Sequence, residues 1–321
     1  MKIYKLLLLV LIPISFVSQS ENDIINHINN IIMYNNHFMK QYMDFNFKLY
    51  HNNTNVDYSL YDNLINQHKV TLKSLENIDS VSWDNDVLSN VKEAYKKIGK
   101  VLELNKNKVE SLLINSKNIR GLQDEYNYVI ETQKLNSSLA LLQNEIKNEI
   151  RVLSNMIDVN IDEVNGNYEV VKSIEKYNVR SKFINSLIVI YLPVLIDLEK
   201  LYITYSNKDT INIKAVFSNL EKTIKSAEIK MSMLQVIPNG NYLLKSVNSL
   251  IEHTKNFTIN RANNWVIFIY LSIPNQNSTE KEYYEYNRLL KEVNENINIY
   301  NSIFNTDYKI VKQAILSLMQ F

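Results

Sequence analysis

The chain contains no cysteine. Disulfides, thiolate metal sites and a cysteine-linked lipid anchor are therefore excluded, and core burial alone must stabilise the fold. Glycine and proline are nearly absent as well, with four of each in 321 residues. Sheet proteins need such residues at short intervals to turn the chain, so their scarcity argues against a strand-rich fold. Four glycines could hardly build a phosphate-cradling loop or a dinucleotide fingerprint, and neither GxSxG nor HExxH occurs. An excess of one charge is also missing, since 35 Lys and Arg face 34 Asp and Glu. The notably apolar runs are Leu6 to Ile14, Leu187 to Ile196 and Trp265 to Ile273. None reaches the roughly 20 residues that cross a bilayer.

The first of these runs follows Lys2 and Lys5, and Ser18 and Ser20 stand at the −3 and −1 positions before Glu21. This is the layout of a secretory signal peptide, and it predicts cleavage near Ser20 and export of a chain beginning at Glu21. Losing Lys2 and Lys5 changes the net charge from +1 to −1. A near-neutral chain has no electrostatic grip on nucleic acid and no basic face for anionic lipid. Roughly 300 remaining residues suffice for one large domain or two ordinary ones.

What is present is helical periodicity. Ile24, Ile28, Ile31, Asn35, Phe38, Tyr42, Phe45 and Leu49 alternate steps of four and three, as do Leu135, Leu139, Leu142, Ile146, Ile150, Leu153 and Ile157. Each series places one apolar stripe along a helix. Breaks in the pattern predict helices over 22–50, 57–78, 85–118 and 124–157, then 178–206, 210–236, 241–272 and 280–320. Asp84 is the expected N-cap of the third, and Gly121 is the expected left-handed residue at its end. Pro193 is expected to kink the fifth.

The two sets of four match each other. A shift of 156 brings Thr54 onto Thr210, Asn63-Leu64 onto Asn219-Leu220, Lys69 onto Lys225, Leu88 onto Leu244 and Val91 onto Val247. It also brings Phe45 onto Leu201 and Leu75 onto Met231. The order of breaks agrees too, with Pro238-Asn239-Gly240 replacing Asp79 to Asp84. The expected architecture is all-α: two tandem four-helix bundles from an internal duplication, 21–160 and 178–321, joined by a linker at 161–177.

One stretch has metal-like spacing. Asp158, Asn160, Asp162 and Glu169 occupy positions 1, 3, 5 and 12 of a calcium-binding EF-hand loop. Position 6 of that loop is glycine for a sharp turn, and here it is Glu163; Asn165 replaces the usual aliphatic residue. A polar linker is the favoured reading. His27, His37, His51, His68 and His253 form no metal-ligand spacing. Glu280 and Glu282 read as partners of a helix N-terminal dipole. No catalytic constellation and no cofactor site emerges.

Lysine outnumbers arginine 30 to 5 and there are 47 asparagines and 21 tyrosines. AT-rich coding explains much of this bias. Asn52, Asn136, Asn256 and Asn277 head glycosylation sequons, as chance allows at this asparagine content.

The Phe16-Val17-Ser18-Gln19 signal ending, the recurring pairs Tyr34-Asn35, Tyr177-Asn178, Tyr286-Asn287 and Tyr300-Asn301, and the paired helices resemble exported helical envelope proteins of Bacteroidetes-type bacteria. The resemblance implies a periplasmic or surface-associated helical protein without assigned catalytic residues. The expected role is non-enzymatic: binding an unidentified envelope or extracellular protein, with contacts on exposed Tyr and Asn. The alternative is a membrane-inserting helical protein, since apolar runs at 187–196 and 265–273 resemble the concealed segments of α-helical pore-forming toxins.

Overall fold

A computed structural model describes residues 21–51, 59–81, 84, 86–117, 121–156 and 168–319. The expected signal segment 1–20 and the residues Asp158, Asn160 and Asp162 lie outside them, and Glu169 falls in the opening turn of a helix. The fold is all-α. In chain order the helices are α1 (Glu21–His51), α2 (Ser59–Glu76), α3 (Val87–Lys117), α4 (Leu122–Met156), α5 (Tyr168–Ser206), α6 (Ile213–Ser232), α7 (Asn241–Phe257), α8 (Asn263–Phe268), α9 (Glu280–Ser302) and α10 (Lys309–Met319).

The stripes predicted from spacing are the buried faces. Ile28, Ile31, Phe38, Tyr42 and Phe45 of α1 are buried, as are Leu135, Leu139, Ile146 and Ile150 of α4. Asn35 interrupts the α1 stripe for a reason: its Oδ1 accepts the buried Tyr95 hydroxyl at 2.8 Å. The polar residue satisfies a phenol that would otherwise stand unpaired in the core.

Two cores result. One gathers α1, α2, α3 and the later part of α4. The other gathers α5 to α10, together with Leu122 and Val129 from the first turns of α4. Helix α4 therefore serves both, and the two bodies are joined through packed side chains. Positions related by the shift of 156 share environments: Leu64 and Leu220, Phe45 and Leu201, and Val91 and Val247 are all fully buried.

The structure departs from the expected boundaries in three places. Helix α5 begins at Tyr168, ten residues before the expected start, so part of the expected linker is helical; Pro193 lies inside it. Gly121 does not end α3 in a left-handed turn; it opens α4, its carbonyl accepting the Glu125 N–H. Asp84 stands before the start of α3 and accepts the Asp86 N–H at 3.1 Å, an Asx-type turn rather than a helix cap.

The last two expected helices are each interrupted by a π-helical turn, Thr258–Ala262 and Ile303–Tyr308. A π turn widens the ladder and leaves a carbonyl to be satisfied from elsewhere. Asn296, with no solvent exposure, donates its Nδ2 to the Arg261 carbonyl at 2.9 Å. His253 Nδ1 lies 2.9 Å from Asp307 Oδ2, joining α7 to the second π turn. The shift of 156 carries the first π turn onto α3, which is continuous there.

Candidate functional site

The apolar runs separate into core and surface. Of residues 187–196, only Val189 and Pro193 are partly exposed; the rest are buried in the second core. The run at 265–273 divides. Trp265 is fully buried, stacked on Tyr205 with ring centres 5.1 Å apart and flanked by Tyr202, Phe257 and Tyr300. Beyond the end of α8 the chain turns outward. Tyr270, Leu271 and Ile273 are exposed, Ile273 to 70%.

This loop meets a second one. The Tyr270 hydroxyl donates to the Thr210 carbonyl at 2.5 Å, tying the α8–α9 loop to the α5–α6 loop. Next to Thr210, Ile211 is 87% exposed. The first turn of α9 adds Tyr283, whose hydroxyl donates to the Asn275 carbonyl at 3.0 Å, and Tyr284, 70% exposed. One end of the second body thus displays Ile211, Tyr270, Leu271 and Ile273 on two loops joined by a hydrogen bond, with Tyr284 beside them on α9.

Charges surround this end asymmetrically. Asp209 turns its carboxylate inward: Oδ1 accepts the N–H groups of Ile211 and Asn212, and Oδ2 accepts Asn212 Nδ2 at 2.7 Å. These bonds, the Asn212 side chain first, hold its carboxyl below the ordinary range. Glu282 closes a capping box, accepting the Thr279 N–H at 2.6 Å while its own N–H donates to Thr279 Oγ1. The Thr279 bonds likewise lower the Glu282 carboxyl. Glu280 sits in the same first turn, beside the positive end of the α9 dipole. Lys214 Nζ lies 5.1 Å over the Tyr270 ring, a cation–π contact. Lys208 and Lys281 are exposed and have no ion-pair partner among the described residues.

The first body holds a different feature, a groove of about 420 Å³ lined by His68, Lys69, Lys96, Gly99, Lys100 and Glu103, among others. His68 is buried, its Nε2 2.7 Å from the Tyr95 carbonyl, which fixes the donor on Nε2. It packs edge-on to Phe38 and stacked on Tyr95. Gly99 makes this approach possible, since a Cβ there would lie 2.6 Å from His68 Cε1. Burial lowers the His68 pKa, opposed by the Tyr95 carbonyl. The imidazole is a neutral packing element tied to α3, and no nucleophile or second titratable partner stands at hydrogen-bond distance among the described residues.

The other sequence candidates disperse. His27 lies 3.4 Å from Asp84, both buried, and links α1 to the α2–α3 loop. His253 belongs to the α7 contact with Asp307. Among the described residues no group of three or more His, Asp or Glu is placed to hold a metal ion. Among the described residues the tyrosines Tyr42, Tyr61, Tyr95, Tyr177, Tyr191, Tyr300 and Tyr308 are buried in the cores. The exposed ones among the described residues are Tyr242, Tyr270, Tyr283 and Tyr284, three of them at the same end. Comparison of the chain with protein-family models, curated proteins and solved structures gave no match.

Proposed function

We propose that the chain is an exported, non-enzymatic helical protein that binds another component of the cell envelope through the loop end of its second body. The supporting observation is the set of exposed Ile211, Tyr270, Leu271 and Ile273 on two loops held together by the Tyr270–Thr210 bond, with exposed Tyr284 on the start of α9. An exposed apolar patch on rigid loops marks an interaction surface more often than a folding defect. Export is supported by the Lys2-Lys5, Leu6–Ile14 and Ser18–Ser20 pattern. Duplication is supported by the shared burial of shift-related positions, and the exposed end then belongs to the copy that has diverged by acquiring π turns.

The test places p-benzoylphenylalanine at Ile273, or at Ile229 on the exposed side of α6, in the chain expressed in its native cells. Irradiation is expected to give a defined adduct, identified by mass spectrometry, from position 273 and not from 229. Equal adducts from both positions, or none, would overturn the binding reading. N-terminal sequencing is expected to begin at Glu21, and an intact Met1 on a chain kept inside the cell would sink the export reading.

The alternative of a pore-forming insertion has less support. The run at 187–196 is core, and among the described residues no helix is long and apolar enough to cross a membrane.

A further inference from the structure

We infer that the groove between α2 and α3 in the first body binds a small organic anion that combines an apolar body, one carboxylate and one O–H or N–H donor. The groove lies on the other body from the loop end, and this inference does not depend on the binding reading just given.

Two facing stripes build the site. His68, Lys69 and Leu72 of α2 line one side, and Lys96, Gly99 and Lys100 of α3 line the other, each set on one helix face. Because Gly99 carries no side chain, the seam between them stays open and the His68 ring lies along its bottom. The volume of about 420 Å³ falls within the roughly 300–1,000 Å³ of small-molecule sites.

His68 sets the need for a donor. Its Nε2–H is spent on the Tyr95 carbonyl, so Nδ1 presents a lone pair. That nitrogen has no hydrogen-bond partner among the described residues, although the residue is only 4% exposed. Buried polar atoms are as a rule satisfied, and here an O–H or N–H entering the groove supplies the missing partner.

The rim sets the charge. Lys69 pairs with Glu103 at 3.1 Å. Lys96 and Lys100, one turn apart on α3, have no ion-pair partner among the described residues, and neither has Glu93, which lines the same groove. Three lysines against two glutamates leave a surplus of one positive charge. A carboxylate matches that surplus, whereas a phosphate monoester carries nearly two negative charges. Leu72 and the lysine stems are left to cover the apolar body.

The shift of 156 supplies a contrast. In the second body Ile224 stands in place of His68, Glu228 of Leu72, Glu252 of Lys96, Lys255 of Gly99 and Asn256 of Lys100. Lys255 and Glu228 join at 2.6 Å across α6 and α7. The free acceptor, the opening and the unpaired cations therefore belong to the first body alone among the described residues.

The test follows the His68 ring directly. The full chain, labelled with 15N-histidine, is titrated with 3-(4-hydroxyphenyl)propionate and read by long-range proton–nitrogen NMR; a His68→Gln variant identifies the resonance. The Nδ1 signal is expected to move toward that of a protonated nitrogen, while the other histidines stay unchanged. The methyl ether of the probe cannot donate and is expected to bind at least about tenfold more weakly. The amide of the probe lacks the charge and is expected to bind about fivefold more weakly. Lys96→Gln/Lys100→Gln is expected to weaken the acid by about the same factor and to leave the amide unaffected. Lys97→Gln removes an ammonium that pairs with Glu145 of α4, and it should bind the acid as the parent does. Circular dichroism checks that each variant remains helical. No movement of the His68 signal up to about 10 mM acid, ample for a ligand of this size, would mean that water satisfies Nδ1 and would overturn the inference. Equal binding of acid, ether and amide, or unchanged affinity in the Lys96/Lys100 variant, would overturn it as well.

Discussion

Tyr308 donates its hydroxyl to Glu125 at 2.5 Å across 183 residues of sequence, closing the start of α4 onto the second π turn. Lys312 adds its Nζ to the same carboxylate oxygen at 3.2 Å and lies 4.7 Å over the Tyr308 ring. Burial is the first cause raising the Tyr308 pKa far above its ordinary value, so the hydroxyl remains a donor at any ordinary pH. This small cluster couples the helix shared by both cores to the last helix of the chain.

Tyr308→Phe removes the donor and leaves Glu125 to Lys312. A lost hydrogen bond to a charged acceptor costs about 1–2 kcal/mol here, toward the lower end because Glu125 is partly solvated. Urea unfolding is expected to show an unfolding free energy lower by that amount, seen as a lower midpoint at unchanged slope. Glu125→Ala is expected to cost at least as much and to be non-additive with Tyr308→Phe, as contacting residues are. An additive pair would show that the two side chains do not act together.

Gly99 is set by its neighbour and not by backbone conformation. A methyl group at this position would meet His68 Cε1 at 2.6 Å, and His68 is confined between Phe38 and Tyr95. Gly99→Ala is expected to destabilise by about 1–3 kcal/mol, the range for overpacking a filled site, even though alanine favours a helix. Adding His68→Ala removes the obstacle, so the double variant should be more stable than the sum of the single effects. Thermal melts of the four proteins measure this coupling. A Gly99→Ala variant as stable as the parent would mean that the ring has room to move.

Much of the helical pattern was legible because the cores are lined by residues at steps of three and four, as along Ile28, Ile31, Phe38, Tyr42 and Phe45. Other features depend on contacts that local spacing does not carry. The start of α5 was hidden in a polar stretch, where Tyr168 to Lys176 shows no clear stripe. The π turns were invisible because their stabilisation comes from distant side chains, Asn296 for Arg261 and His253 for Asp307. At the candidate site, Trp265 to Ile273 showed itself as one apolar run, yet Trp265 and Val266 are buried while Ile267, Tyr270, Leu271 and Ile273 are exposed. Ile211 joined that surface through the Tyr270–Thr210 bond, and a single Ile beside a polar break carries no such signal.

The division within that run makes a sharp contrast. Trp265 fills the second core between Tyr205, Tyr202, Phe257 and Tyr300, and Trp265→Ala is expected to cost about 3–5 kcal/mol. Ile273, eight positions later, rests in solvent, and Ile273→Ser is expected to change stability by no more than about 0.5 kcal/mol. Denaturant midpoints of the two variants decide the matter. A large loss from Ile273→Ser would show that the loop end is packed in solution, removing the surface on which the binding reading depends.

Stability should also depend on pH through two buried imidazoles. Burial is the largest cause lowering the pKa of His27 from 6.5; Asp84 opposes it and Lys92 adds to it. Burial does the same for His68, with the Tyr95 carbonyl and Glu103 opposing and Lys69 adding. Both therefore fold as neutral rings, while in the unfolded chain they take up protons near pH 6.5. Below that pH the unfolded state binds more protons, so stability falls as pH falls. The contribution is fully present above the unfolded value and disappears as pH drops through the folded values. Carboxylates held low, such as Glu131 and Glu282, act further down, below their ordinary value of 4.5. The melting temperature is accordingly expected to hold near neutral pH and to decline as the pH falls below about 6.5. A His27→Gln/His68→Gln variant, less stable at neutral pH, should decline less across that window. A parent whose melting temperature stays flat there would show that both rings reach solvent when they protonate.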